Sequence, residues 1–127
     1  MDEHPNVSAV RQWAQAMESG DMQAASAGVA DDIVWHEIGR SEPTHGVEAL
    51  RARADEMSDF DIAARTHDVV GNDEHVIQLV DVTATKKSSG DSLDYRTAEI
   101  YHVRDGKINE RWAFSDDTAR ILEFFGP

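Results

Sequence analysis

After Ser58 the chain changes its hydrophobic period, and this constrains the fold more than any other feature. Residues 62–70, 75–85, 93–103 and 107–115 are rich in β-branched and aromatic side chains. They are separated by the turn signals Gly71-Asn72-Asp73, Ser88-Ser89-Gly90-Asp91 and Asp105-Gly106. The last is a two-residue hairpin signal, because both central positions of the favoured turn need positive φ. In 93–103 alternate positions fall into two sets. Leu93, Tyr95, Thr97, Glu99, Tyr101 and Val103 are more apolar than Asp94, Arg96, Ala98, Ile100 and His102. The first set therefore forms the covered face, with Glu99 as its one charged member.

Before Ser58 the spacing is helical. Asn6 is placed to cap a helix with Val7, Val10, Trp13, Ala14 and Met17 on one face, ended by Gly20. Asp21 starts a second helix through about Val29, with Met22, Ala25 and Val29 inward. Residues 33–37 read as a short strand, and a third helix after Gly46 carries Val47, Leu50, Ala54 and Met57 on one face. At the far end Asp116 and Asp117 are placed to cap a turn of helix bearing Ile121, Leu122, Phe124 and Phe125. Helices followed by a run of strands make an α+β domain. A curved sheet wrapped around those helices leaves a conical cavity.

With 127 residues and no internal repeat or linker, the expectation is a single domain over 1–127. No cysteine is present, so disulfide and thiolate chemistry are excluded. No apolar run approaches the ~20 residues that span a bilayer, and the opening Met1-Asp2-Glu3-His4-Pro5 is no signal peptide. The expected location is the cytoplasm. A net charge of −13, spread along the chain, repels phosphate backbones and anionic lipid, so neither nucleic acid nor membrane is expected as a partner.

The chemistry concentrates in residues 30–46. Glu37 sits on the short strand near Trp35, Ile33 and Ile38. Desolvation there would favour a carboxyl that holds a proton between steps. If the strand turns Glu37 inward it is a cavity base; otherwise it is a strand-end carboxylate beside Arg40. Glu99 on the covered face needs either a shifted protonation equilibrium or an ion pair with Arg111 or Arg96. His36 should point opposite to Glu37 as a packed histidine; with the strand rotated, it would be the base instead. No histidine pair has metal-ligand spacing, so no metal is expected, and no phosphate loop or nucleophile elbow is present. Trp13, Met17, Trp35, Tyr95, Tyr101, Trp112 and Phe114 are the expected cavity lining, suited to a flat apolar or aromatic ligand.

Several motifs together resemble the NTF2-like superfamily, in particular its SnoaL-like and ketosteroid isomerase-like branch. They are Ser19-Gly20-Asp21, Ala30-Asp31-Asp32, the turn from Gly39 to Gly46 around Ser41-Glu42-Pro43, Asp105-Gly106-Lys107-Ile108 and Trp112-Ala113-Phe114. The resemblance implies a cone of three N-terminal helices packed in a strongly curved antiparallel sheet, often a homodimer through the outer sheet face, where Ala98, Ile100 and His102 lie. It aligns Glu37 with the isomerase general base, Glu99 with the carboxylic acid that donates to the oxyanion, and Trp13 with the oxyanion-hole tyrosine. In ketosteroid isomerase one carboxylate moves the proton while a second, kept neutral, donates a hydrogen bond. By this likeness Glu37 is the base and Glu99 the acid or electrostatic partner in cofactor-free isomerase-, cyclase- or dehydratase-type proton transfer on a carbonyl compound. The alternatives are a non-catalytic binder and a dimerisation module. The limonene-type epoxide hydrolase branch fits less well: it needs an Arg-x-Asp pair, and Asp94-Tyr95-Arg96 runs in the reverse order.

Overall fold

The computed structural model describes residues 3–126. Helix α1 (Pro5–Ser19) starts one residue before the expected cap: Pro5 occupies the first turn, and His4 Nδ1 accepts from the Asn6 amide at 3.1 Å. Gly20, at φ 79°, ends it in the left-handed conformation. Asp21 then caps α2 (Met22–Ala27) by accepting from the Ala24 amide at 3.1 Å. Strands β1 (Val29–Trp35) and β2 (Thr44–His45) precede α3 (Val47–Glu56). The long strands β3 (Phe60–Gly71), β4 (Val76–Lys86), β5 (Ser92–Arg104) and β6 (Lys107–Ser115) follow, and α4 (Thr118–Phe125) closes the fold. Asp117 caps α4, while Asp116 instead accepts from the Arg96 amide.

The six strands form one sheet in the order β2-β1-β6-β5-β4-β3. The class is α+β, as the sequence implies, but the sheet is not wholly antiparallel: β1 runs parallel to β6. That pairing also extends β1 back to Val29, through residues whose Asp31-Asp32 pair reads as loop, and leaves Glu37 just beyond the strand end. Val7, Val10, Trp13 and Ala14 of α1 pack on Ile33, Val69, Val76, Tyr101 and Ile108 of the sheet. Val10, Ile33, Tyr101 and Ile108 are completely buried, each such aliphatic contributing about 1.5–3 kcal/mol of transfer free energy.

β-Bulges bend the sheet, and one of them decides which side chains reach the interior. From the Asp105-Gly106 turn, Arg104 pairs with Lys107 and Val103 with Ile108, but the next pair is His102 with Glu110. Asn109 is the extra residue, and its side-chain oxygen is buried with no partner among the described residues. An unbroken ladder would set Trp112 opposite Glu99 and Phe114 opposite Thr97, on the covered face. The bulge instead sets Arg111 opposite Tyr101 and Ala113 opposite Glu99. A one-residue shift turns every later side chain over. The expected lining roles of Trp112 and Phe114 are therefore corrected: Trp112 stacks on His36 across the outer face (5.2 Å between centroids, 6° between planes), and Phe114 is 57% exposed.

Candidate active site

Helices α1–α4 and the concave side of the sheet enclose a cavity of about 900 Å³. Trp13, Met17, Trp35 and Tyr95 line it, as expected. Trp13 and Trp35 meet edge to face at 6.1 Å, forming one wall. Met22 of α2, Leu50, Ala54 and Met57 of α3 and just past it, and Phe60 and Ile62 of β3 complete much of the apolar surface. Helix α4 covers the opposite side, contributing Ile121, Leu122 and Phe125. Its Phe125 ring lies 4.8 Å from Phe60 and 6.3 Å from Tyr95. Gly39, at φ 76°, lets the chain after β1 run directly under α4; a Cβ there would lie 2.8 Å from Leu122 Cδ2. Tyr101 is excluded from the lining. It is fully buried behind Trp13, at 5.5 Å between ring centroids.

Glu37 lies on the cavity wall between Trp35 and Ile38. Arg53 Nε donates to both its oxygens, at 2.9 and 3.1 Å, and Arg40 Nη1 approaches at 3.4 Å. Arg53 in turn reaches Glu56 at 3.0 Å. The hydrogen bonds that Arg53 donates to Glu37 raise the Arg53 pKa above its ordinary value despite partial burial. His36 points to the other side of the sheet, as alternation requires, with Nε2 3.0 Å from Glu110. His102 shares that outer cluster, its ring 4.8 Å from Trp112. The alternative assignment of His36 as a cavity base is thereby removed.

Glu99 faces inward, yet it does not touch the cavity. Arg111 stands in front of it, with Nε and Nη2 at 3.1 and 2.8 Å from Glu99 Oε1. Thr97 donates to the other oxygen at 2.8 Å. The Tyr101 hydroxyl lies 3.0 Å from Glu99 Oε1 and 2.7 Å from Gln78 Oε1, and Gln78 donates to Thr66 at 2.9 Å. Burial would push the Glu99 carboxyl up, but the Arg111 charge and the donors around it outweigh burial and hold it below the usual carboxylate range. Burial pushes the Tyr101 phenol well above its ordinary value and that of Tyr95 up to about 12. Glu99 is thus an ionised acceptor with no proton to donate.

The group the sequence reading left out of the lining is Arg111. Its guanidinium carbon lies 4.1 Å over the Trp35 ring, and Nη1 donates to the His36 carbonyl at 3.0 Å. Counting inward positions along β6 places it only when the bulge at Asn109 is known. Among the described residues no group of three or more His, Asp or Glu is arranged to hold a metal ion.

The fold recurs in solved structures. Bal32a, from a soil-derived mobile gene cassette, superposes with a TM-score of 0.85 at 24% identity, over 96% of this chain and 97% of its own. IdmH of Streptomyces antibioticus, a proposed polyketide cyclase, gives 0.74 at 22%, over 95% and 99%. An M. tuberculosis LEH-like epoxide hydrolase gives 0.74 at 17%, over 88% and 83%. No curated protein matches the sequence significantly. At these identities the likeness is one of fold, and a fold does not fix a reaction. The family model for the SnoaL-like domain matches residues 10–111, and with this fold around the cavity the chain belongs to the SnoaL-like family of the NTF2-like superfamily.

Proposed function

We propose that the protein catalyses proton transfer on a small, flat, largely apolar carbonyl compound, without a cofactor, in an isomerisation, ring closure or dehydration. The observation that supports this most is the position of Glu37: a carboxylate on the wall of an otherwise largely apolar cavity of about 900 Å³, large enough for a multi-ring ligand. Glu37 takes a proton from carbon beside the carbonyl and returns it elsewhere. Arg53 and Arg40 orient the carboxylate, and Trp13, Trp35 and Tyr95 hold the ring system. Glu99 serves through its charge, by fixing Arg111. The cytoplasm is the proposed location; no helix among the described residues is long and apolar enough to cross a membrane.

Thermal unfolding with planar ketones such as fluorenone and progesterone tests the cavity. A ligand at a hundredfold excess over Kd is expected to add about 2.7 kcal/mol of stability. If no member of such a panel moves Tm, and a crystal structure shows the space filled by side chains, the reading fails. A second copy of the chain is the proposed partner on the outer sheet face. Leu79 and Phe114 are 39% and 57% exposed there, flanking Ala98 in one row across β4, β5 and β6. Sedimentation equilibrium at micromolar concentration is expected to give twice 14.1 kDa; a mass equal to 14.1 kDa removes the dimer.

A further inference from the structure

Beyond Met1, every sulfur of this chain lies on the cavity wall. The sequence has three further methionines and no cysteine, and Met17, Met22 and Met57 all line the cavity. Met17 lies in the last turn of α1, Met22 opens α2, and Met57 follows the end of α3. Three separate helices each bring a thioether to the same space. Of the seven large apolar side chains left exposed among the described residues, four line this cavity: Met17, Met22, Ile62 and Leu122. They mark the side on which it opens to water.

Met17 and Met22 are the thioethers at that opening, 46% and 53% exposed, whereas Met57 is half-buried. The backbone fixes both there. The Gly20 amide donates to the Met17 carbonyl at 3.3 Å, and the Met22 amide to the Gly20 carbonyl at 3.0 Å, so the two residues bracket one tight turn. The turn itself stands in open space: a Cβ on Gly20 would meet no atom within 4 Å. A thioether is a flexible apolar group that moulds to the outline of a ligand. In a chain without thiols it is also the sulfur that an oxidant meets first. The acidic surface, with a net charge of −13, repels anionic oxidants such as hypochlorite and leaves neutral hydrogen peroxide unopposed.

We propose that Met17 and Met22 form a reversible oxidation site at the cavity mouth, through which hydrogen peroxide turns down the binding of apolar ligands. The sulfur lone pair attacks one oxygen of the peroxide. An S–O bond forms as the O–O bond breaks, and both protons leave with the other oxygen as water. The sulfur is oxidised to the sulfoxide and the peroxide is reduced. A dithiol, acting through sulfoxide reductases, reverses the change: the sulfoxide oxygen leaves as water and the dithiol becomes a disulfide. The oxidised mouth holds polar S=O groups where the ligand needs apolar contact, and covering such a group without a donor opposes binding. This rests on the reading of the cavity as a ligand site and adds its regulation.

In the test, the purified full chain is treated with graded hydrogen peroxide and the sulfoxides are located by fragment-ion mass spectrometry. The Kd for fluorenone is measured by equilibrium dialysis before and after. Met17 and Met22 are expected to gain an oxygen before Met57 does, and Kd to rise roughly five- to tenfold with the far-UV circular dichroism unchanged. Sulfoxide reductases of both epimer specificities, with dithiothreitol, should restore the starting Kd. The double variant Met17→Leu/Met22→Leu, compared with itself before and after peroxide, is expected to show no change. The two single variants, each with a smaller rise than the wild type, serve if the double variant does not fold. Four results overturn the inference and leave the cavity reading standing: oxidation of both residues with Kd unchanged, first oxidation at Met57, a rise that the reductases do not reverse or the double variant shares, and a loss of binding that accompanies loss of helical signal. Untreated protein that binds neither fluorenone nor progesterone overturns the two together.

Discussion

Changing Glu37 to Gln is expected to lower kcat by ~10²–10⁴ on whichever ketone stabilises the protein most, with KM little altered. The amide keeps the shape, and its oxygen can still accept from Arg53 Nε and Arg40, which lie 2.9 and 3.4 Å from the carboxylate in the wild type. What it cannot do is take a proton. Glu37→Asp keeps the carboxyl but draws it back by one methylene, and should fall between the two. The measurement is a separate determination of kcat and KM for all three proteins. A loss below about tenfold in kcat, or a loss confined to KM, would make Glu37 a wall residue that merely anchors Arg53.

The second large effect is on stability. Arg111→Met should cost about 3–5 kcal/mol, because it strands the Glu99 carboxylate, whose side chain is 12% exposed, without its charge partner. Denaturant unfolding should show this as a fall in midpoint with little change in slope. Adding Glu99→Gln should recover much of the loss, since the two changes together remove both charges and leave no orphan ion. The pH dependence has a definite sign. In the wild type the Glu99 pKa is depressed, so its contribution is complete above the ordinary carboxylate value of 4.5 and disappears as pH falls through the lower folded value. In Arg111→Met burial acts on Glu99 without that charge, so the proton is held more tightly in the folded state and the deficit narrows as pH falls. A deficit that stayed constant from pH 8 to pH 5, or no recovery in the double variant, would show that the pair is not what the loss reports.

Much of the architecture was legible in the sequence because local rules and global fold agree. Alternation in β5 selects Leu93, Tyr95, Thr97, Glu99, Tyr101 and Val103 as the inward set, and in the structure this set faces the helices. Gly20 and Asp21 mark a stop and a start that the backbone obeys. Alternation also separates His36 from Glu37. The site was less legible, for one main reason. Periodicity along β6 gives two possible faces, and only the bulge at Asn109 decides between them. Nothing in the string Lys107-Ile108-Asn109-Glu110 announces an extra residue. Hence two aromatics, Trp112 and Phe114, were expected where Arg111 and Ala113 stand. The state of Glu99 follows from the same ambiguity, since the inward position of Arg111 is what makes that carboxylate an anion rather than an acid. Arg53 reaches Glu37 from a helix 16 residues further along, a tertiary contact that no local pattern encodes.

The parallel seam between β1 and β6 also sets an order of events in the life of the chain. Val29 finds Ile108, and Trp35 finds Arg111, across most of the sequence. At roughly 5–20 residues per second, a ribosome delivers Ile108 some 4–16 s after Val29. For most of that interval β1 lacks its central neighbour, Trp13 lacks Tyr101 and Trp35 lacks Arg111, the groups against which they pack. Such long-range closure is slow compared with helix formation. Nascent chains arrested after Arg104 should therefore engage apolar-surface chaperones through these tryptophans, and release should coincide with emergence of the last strand.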